Sequence, residues 1–395
     1  MFKTPYFLLD LQRLENNLQC LRIAFQSRWP NFKVGYSFKT NNLPWLVSWM
    51  KIQEVFAEVV STPEYELAKY VGYNDNQIII NGPNKGSGAI LNILHAGGIV
   101  NLDSFEEIEF IKIHANDFDS IKVGLRINFD LESVCPGETI PGKEPGRFGF
   151  NVENGDFERA IFQLSKIPQV TIVGLHGHHS TRSKSLNIFK AITIQICECS
   201  KLLTSLEYVD LGGCMFGDKP GAPTFDEYAS TIVDVLREYN ISESVTLIVE
   251  PGAALVASPF SYVCSVIGIK DIKDTRFVYT DGSVKHIAPQ MNSINFLSTI
   301  MPQKENIIAR QVVSGYSCIE MDRFLELQNT NELSIGDKIM IHNTGAYSIV
   351  LSPLFIEYFP SVIVKDGTKY IVARDRWCTE EFVQKNHLYN ESINS

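Results

Sequence analysis

Eight short apolar, β-rich runs alternate with helix-spaced stretches over the first two thirds of the chain, and this alternation constrains the fold most. The runs are Phe32 to Phe38, Val55 to Val60, Gln77 to Ile80, Gly98 to Leu102, Ile121 to Phe129, Val170 to Leu175, Glu207 to Leu211 and Val245 to Val249. Between them lie segments such as Pro63 to Val71 and Ser104 to His114, which read as helices. Parallel strands need crossover connections, and eight βα units can close on themselves. The spacing therefore predicts an α/β fold, a (β/α)8 TIM-like barrel over residues 27–256, with reactive groups at the C-terminal ends of the strands. The longest gap, Leu131 to Pro168, carries a Gly- and Pro-rich loop up to Phe150, and a long loop at that end of a barrel is more often functional than idle.

From about Ala257 onward the helical alternation stops. Short β runs with turn signals follow at Phe260 to Ile269, Phe277 to Thr280, Lys338 to His342 and Ser361 to Val364. They predict a second, mostly antiparallel β domain, 257–395, joined by residues 1–26, whose Pro5 to Leu9 strand leads through Asp10 into a helix with Leu11, Leu14, Leu18 and Leu21 on one face. Residues 379–395 read as a frayed polar tail.

Composition narrows the function. With 45% hydrophobic and 20% charged residues the chain is neither disordered nor fibrous. The 45 acidic residues against 35 basic ones, a formal charge of −10, disfavour nucleic-acid binding. The N-terminus has no uninterrupted apolar segment of the signal-peptide kind. The uncharged run Pro251 to Ile269 is broken by prolines and serines and reads as strand, turn and strand rather than a membrane span. The eight cysteines show no paired zinc spacing. The expectation is a cytoplasmic protein with reduced thiols, no metal, no nucleic acid and no membrane.

The strand ends carry the chemistry. Tyr36 to Asn41 places Lys39 after the first barrel run, where an amine can bond covalently to an aldehyde. Glu58, Ser61 and Glu64 follow the second run, Leu125-Arg126-Ile127-Asn128 forms the fifth, and Gly174-Leu175-His176-Gly177-His178 ends the sixth. Asp210-Leu211-Gly212-Gly213 and Glu250-Pro251-Gly252 end the last two. The second domain has Cys318-Ile319-Glu320-Met321-Asp322 and Gly345-Ala346-Tyr347.

In this order these motifs resemble the fold-type III pyridoxal-phosphate decarboxylases, the group that includes diaminopimelate, ornithine and arginine decarboxylases, over nearly the whole chain. The resemblance implies an alanine racemase-like barrel with a β domain, pyridoxal 5'-phosphate as cofactor, and a homodimer with shared active sites. It implies that Lys39 anchors the cofactor, that Glu250 pairs with the ring nitrogen and that His178 stacks on the ring. Glu58, Arg126, Thr181, Gly212, Gly213, Gly252 and Tyr347 complete the cofactor set, the two central glycines offering backbone N–H groups to phosphate. Cys318, reaching over from the partner subunit, is the acid that returns a proton to carbon. Glu250, where alanine racemases carry arginine, favours decarboxylation over racemisation.

The chain also departs from the pattern. Cys214 replaces the third glycine of Asp-x-Gly-Gly-Gly, and Ala253 the arginine after Glu-Pro-Gly. Ile319 stands where relatives use an acid for a distal ammonium, and Ala288 where diaminopimelate enzymes have arginine. The distal ammonium of diaminopimelate or ornithine and the distal carboxylate of diaminopimelate then lack their partners. The substrate expected is an amino acid or amino-acid conjugate, as in siderophore-pathway relatives, contacted by Arg147, Arg182, Ile319 and Asp322. Two other readings stay open: an amino-acid racemase, and a catalytically silent regulatory binding protein, which Cys214 and Ala253 keep open although Lys39, His178, Glu250, Cys318 and Tyr347 argue against it.

Overall fold

The computed structural model describes residues 2–387 and 389. It divides into two units, Arg13–Ser258 and Met1–Gln12 with Pro259–Ser395. The first strand, β1 (Tyr6–Asp10), belongs to the second unit.

The first unit is the barrel. Its strands are β2 (Phe32–Ser37), β3 (Phe56–Val59), β4 (Ile78–Ile80), β5 (Ile99–Leu102) and β6 (Ile121–Asn128), then, after the two-residue β7 (Phe150–Asn151), β8 (Val170–His176), β9 (Tyr208–Asp210) and β10 (Thr246–Val249). All neighbours run parallel in the order β5-β4-β3-β2-β10-β9-β8-β6, and β5–β6 pairing closes the ring. Each of the eight apolar runs of the sequence is one barrel strand. β7 pairs outside the ring with the end of β6.

The barrel interior is filled, as eight strands require. Tyr208 packs with Ile79, Val173 and Ile248. It has room because positions 124 and 174 are glycines: a Cβ at either would collide with its ring. Large apolar residues thus close the barrel, and polar groups collect at the strand ends.

Helix Leu11–Gln26 belongs with the barrel, where the sequence reading put residues 13–26 in the β domain. Leu14, Leu18, Leu21 and Phe25 are buried, and Asn17 Nδ2 donates to Leu255 O at 3.0 Å and to Ser258 Oγ at 3.1 Å. The run after Pro251 also differs from the expectation. Ala253–Val256 forms one helical turn, which Ala-Ala-Leu-Val favours, before the next strand begins at Phe260.

The second unit is one nine-stranded sheet. It contains β1, β11 (Phe260–Ile272), β12 (Thr275–Thr280), β13 (Ser298–Met301), β14 (Ile307–Ser314), β15 (Arg323–Asn331), β16 (Lys338–His342), β17 (Ser361–Asp366) and β18 (Lys369–Arg374). Pairings are antiparallel except β1–β17 and β12–β14. Thr379–Val383 is a short helix rather than frayed chain, started by Glu381, which accepts from the Cys378 N–H at 2.7 Å. The rest of the expected tail, Leu388 and residues 390–395, lies outside the described residues.

Candidate active site

A chain of buried hydrogen bonds crosses the C-terminal mouth of the barrel. It starts at the Tyr208 hydroxyl, which donates to Asn101 Oδ1 at 2.7 Å. Asn101 Nδ2 donates to Asn81 Oδ1 at 2.9 Å. Asn81 Nδ2 then donates to two carboxylates, Glu250 Oε1 at 2.6 Å and Glu58 Oε1 at 3.1 Å. A phenol that donates at one end fixes both amide orientations, so every link has one sense. Glu58, fully buried, also accepts from Ser37 Oγ at 2.5 Å and pairs with Lys39 Nζ at 3.0 Å. Lys39 and Glu250 are thereby ends of one network. Sequence reasoning missed Asn81, Asn101 and Tyr208, although Asn101 stands out as a polar residue inside a buried strand.

Glu250 directly follows β10. Burial opposes its charge, but His176, Lys39 and a hydrogen bond with Asp210 outweigh that and hold its carboxyl below the usual carboxylate range. His176 Nε2 lies 3.5 Å from Glu250 Oε2. Asp210 goes the other way: burial, then the charge and hydrogen bond of Glu250, raise its pKa well above the usual value.

His178 accepts from the Gly213 N–H at Nδ1, 3.1 Å, which places any proton of the neutral ring on Nε2. Burial and the charges of Lys39 and Arg126 push its pKa well below that of an ordinary histidine, so the ring is neutral at pH 7.

The two glycines do something other than expected. The Gly212 N–H is spent on Asp210 Oδ1 at 2.9 Å and the Gly213 N–H on His178, so neither donor is free for a phosphate. What glycine provides is space: a Cβ at 212 would strike the His178 ring, and one at 213 the Glu250 carbonyl oxygen. Gly252 likewise makes room for Thr40. Cys214 adopts φ +71°, a conformation that suits glycine, with Sγ 3.3 Å from Thr181 Oγ1.

Arg126 is a buried buttress. It pairs with Asp103 at 3.0 Å and donates to the His178 carbonyl at 3.2 Å, fixing the backbone that carries the ring. Ser61 and Glu64 form a helix start: Ser61 Oγ accepts from the Glu64 N–H, and Glu64 Oε2 accepts from the Val60 N–H at 2.8 Å.

The loop after β6 lines a cavity of about 520 Å³ with Arg126, Arg147, Phe148, His178 and His179 on its wall. Arg147 stacks on Phe148, 4.0 Å from the ring centre. The loop is tied to the segment after β8 by Ile140 N–H to Ser180 O at 3.0 Å and Arg182 N–H to Glu138 O at 2.7 Å. Arg182 donates to Ile140 O at 3.2 Å, so it stitches the two loops together.

In the β domain Cys318 is exposed. Asp322, expected to contact substrate, is buried and accepts from Ser283 Oγ, the Val284 N–H and the Ser317 N–H at 2.9, 2.8 and 3.2 Å. It clamps the turn that presents Cys318. Ile319, half-buried, lies in that turn, and Tyr347 is exposed at φ +56°.

A lysine anchor, an ionised carboxylate and a neutral imidazole at the mouth of an eight-stranded barrel define a site suited to pyridoxal phosphate. The glycine spacing leaves the ring residues the room they need. Residues 15–257 match the family described as "Pyridoxal-dependent decarboxylase, pyridoxal binding domain", and the chain belongs to this family. It is a pyridoxal-phosphate-dependent carboxy-lyase acting on an amino acid. A probable chloroplastic diaminopimelate decarboxylase of Oryza sativa is 26% identical over 364 residues, 89% of this chain and 73% of that protein. The crystal structure of diaminopimelate decarboxylase from Methanocaldococcus jannaschii superposes with TM-score 0.87 at 23% identity, covering 98% of this chain and 93% of that one. A lysine/ornithine decarboxylase from Vibrio vulnificus, complexed with cadaverine, gives 0.72 at 20% identity and 90% of both chains. Among the described residues no helix is long and apolar enough to cross a membrane.

Proposed function

We propose that the protein is a cytoplasmic, homodimeric decarboxylase of an L-amino acid unit within a larger, anionic conjugate, of the kind assembled in siderophore or other specialised pathways. The observation that carries the reading is the Lys39–Glu58–Asn81–Glu250 network, which holds a covalent anchor and a ring-nitrogen partner in one rigid frame.

Pyridoxal phosphate, when bound, supplies an aldehyde for the substrate amine and a ring that accepts the electron pair left by carbon dioxide. Lys39 would hold the group through Nζ, and Glu58, 3.0 Å from that amine, is placed to take and return its proton. Glu250 would pair with the ring nitrogen. His178, neutral and fixed through Nδ1, would lie against the ring without adding charge. Thr181 and Tyr347 would offer it hydroxyl groups, as the motif resemblance implies. Cys318 of a second copy would be the thiol that supplies the proton replacing carbon dioxide, a role that the motif resemblance and its exposure support.

The substrate class follows from charge. Ile319 and Ala288 leave a distal ammonium or the diaminopimelate carboxylate unpaired, and an unpaired buried charge costs several kcal/mol, on the order of 3–5. The cavity beside His178 instead offers Arg147, whose guanidinium rests on a ring with its edge available to an anion.

Borohydride reduction with the cofactor followed by peptide mapping tests the anchor, and a label anywhere but Lys39 defeats it. A silent binding protein would show no label. Carbon dioxide release from free diaminopimelate, ornithine and lysine against citrate-linked conjugates tests the substrate class. Mixing K39A with C318A protein should restore activity absent from each; failure to do so rules out a shared site.

A further inference from the structure

We infer that Asp210 is a neutral carboxylic acid that donates its proton in a hydrogen bond to Glu250, making it the positioning residue for that carboxylate. Asp210 ends β9 with no exposed surface, and its Oδ1 accepts from the Gly212 N–H. Its Oδ2 is buried, and no donor reaches it. An ionised oxygen in that position would be charged, desolvated and unpaired, the most costly state a carboxylate can take. What faces it is another carboxyl. Ligand atoms of His176, Asp210 and Glu250 all lie within 4.8 Å of one another. Two like charges so close and so buried share one proton.

The proton belongs on Asp210 because the donors are unequally divided. Glu250 has the Asn81 donor at 2.6 Å and the fields of Lys39 and of His176, whose Nε2 lies 3.5 Å away without a hydrogen bond to it. Asp210 has one backbone amide and faces the negative field of Glu58. Protonated, its Oδ2 becomes a donor and the orphan disappears. Glu250 then accepts from Asn81 and from Asp210 and cannot turn away from the ring nitrogen. This last role rests on the decarboxylase reading; the protonation state does not.

Infrared difference spectroscopy of the cofactor-free protein, wild type minus D210N, decides the first part. A protonated carboxylic C=O band at pH 7–8 that disappears in D210N is expected, and its absence from wild type overturns the inference. Metal analysis gives a second check: a stoichiometric divalent ion at His176, Asp210 and Glu250 overturns it too. For the positioning role, D210A should lower kcat about tenfold or more and shift the pH-dependence of the bound cofactor's near-visible band. D210N, which keeps a donor toward Glu250, should restore both to within about threefold. Equal loss in the two variants refutes positioning through a donated hydrogen bond. If D210A does not fold, wild type and D210N still give the infrared answer.

Discussion

Replacing Asn81 by leucine removes one side chain and three hydrogen bonds from the barrel mouth. Glu250 and Glu58 each lose the Asn81 Nδ2 donor, and Asn101 Nδ2 loses its acceptor. A hydrogen bond to a buried charged group contributes about 1.5–3 kcal/mol, so the two carboxylate bonds alone give about 3–6 kcal/mol. The stranded Asn101 donor adds about 1–3 kcal/mol less whatever relaxation recovers. For a barrel of this size each kcal/mol moves Tm by about 2–4 °C, and a loss of at least 3 kcal/mol lowers it by about 6–12 °C. The effect of aspartate is larger. N81D puts a third carboxyl against two others with no donor between them, so it folds only when protonated, and its destabilisation grows as pH rises. Y208F, at the far end, removes one neutral bond and should cost about 1 kcal/mol. Urea unfolding of the cofactor-free proteins measures all three, and the expected order is N81D, N81L, Y208F. An N81L midpoint within 1 kcal/mol of wild type, or an N81D curve independent of pH, would refute the network as drawn.

Two further outcomes follow from local conformation and burial. C214G should raise stability by about 0.5–1 kcal/mol, because φ +71° costs a side-chain residue about 1–2 kcal/mol and glycine's extra unfolded-state freedom offsets only part of it; a less stable variant would mean the Thr181 contact dominates. Glu64 is raised to about 7 by burial, above its unfolded value of 4.5, so its contribution is full below pH 4.5 and is lost as pH rises through 7, about 3 kcal/mol in all. E64Q, which still accepts from Val60, should flatten that decline in urea midpoints taken across pH 4.5–7.5, and equal slopes would contradict it. His179 and His286, both lowered to about 4 by burial, act oppositely, adding stability as pH rises from 4 to 6.5, but they are common to both proteins and cancel in the difference.

The barrel was legible because strand burial leaves a one-dimensional trace. Runs such as Val245 to Val249 are apolar because both faces of a parallel strand are covered, and they need no partner to be recognised. The strands β13, β14, β15 and β18 were missed for the converse reason: much of each is half-exposed, so alternation is blurred by residues such as Arg310, Gln328 and Lys369. Lys39, His178 and Glu250 could be placed at the mouth from strand order alone. The direction of a hydrogen bond could not, since it depends on register. Nothing in Gly212-Gly213 says that both amides are already taken, and nothing in the Cys318-x-x-x-Asp322 spacing says that the acid is consumed by Ser283, Val284 and Ser317.

The same geometry explains why so many ionisable groups tolerate one barrel mouth. Arg126 cancels Asp103 at 3.0 Å, and the fully buried Lys85 cancels Glu107 at 2.6 Å while also donating to the Gly82 carbonyl. Glu107 in turn accepts from the Asp103 N–H, so both pairs are locked together. Lys39 balances Glu58. With His178 neutral and Asp210 protonated, as inferred above, the charge of Glu250 is faced within this group by His176, 3.5 Å away, and by the field of Lys39, which Glu58 already offsets. In a low-dielectric mouth a closer cation would stabilise such an anion further. On the proposed function a protonated ring nitrogen would be that cation, and a neutral ring would leave the anion with only Asn81 and His176 facing it. On the proposed function, the negative charge at Glu250 would favour a cofactor in its electron-accepting form, and E250Q should weaken that preference more than it weakens the fold.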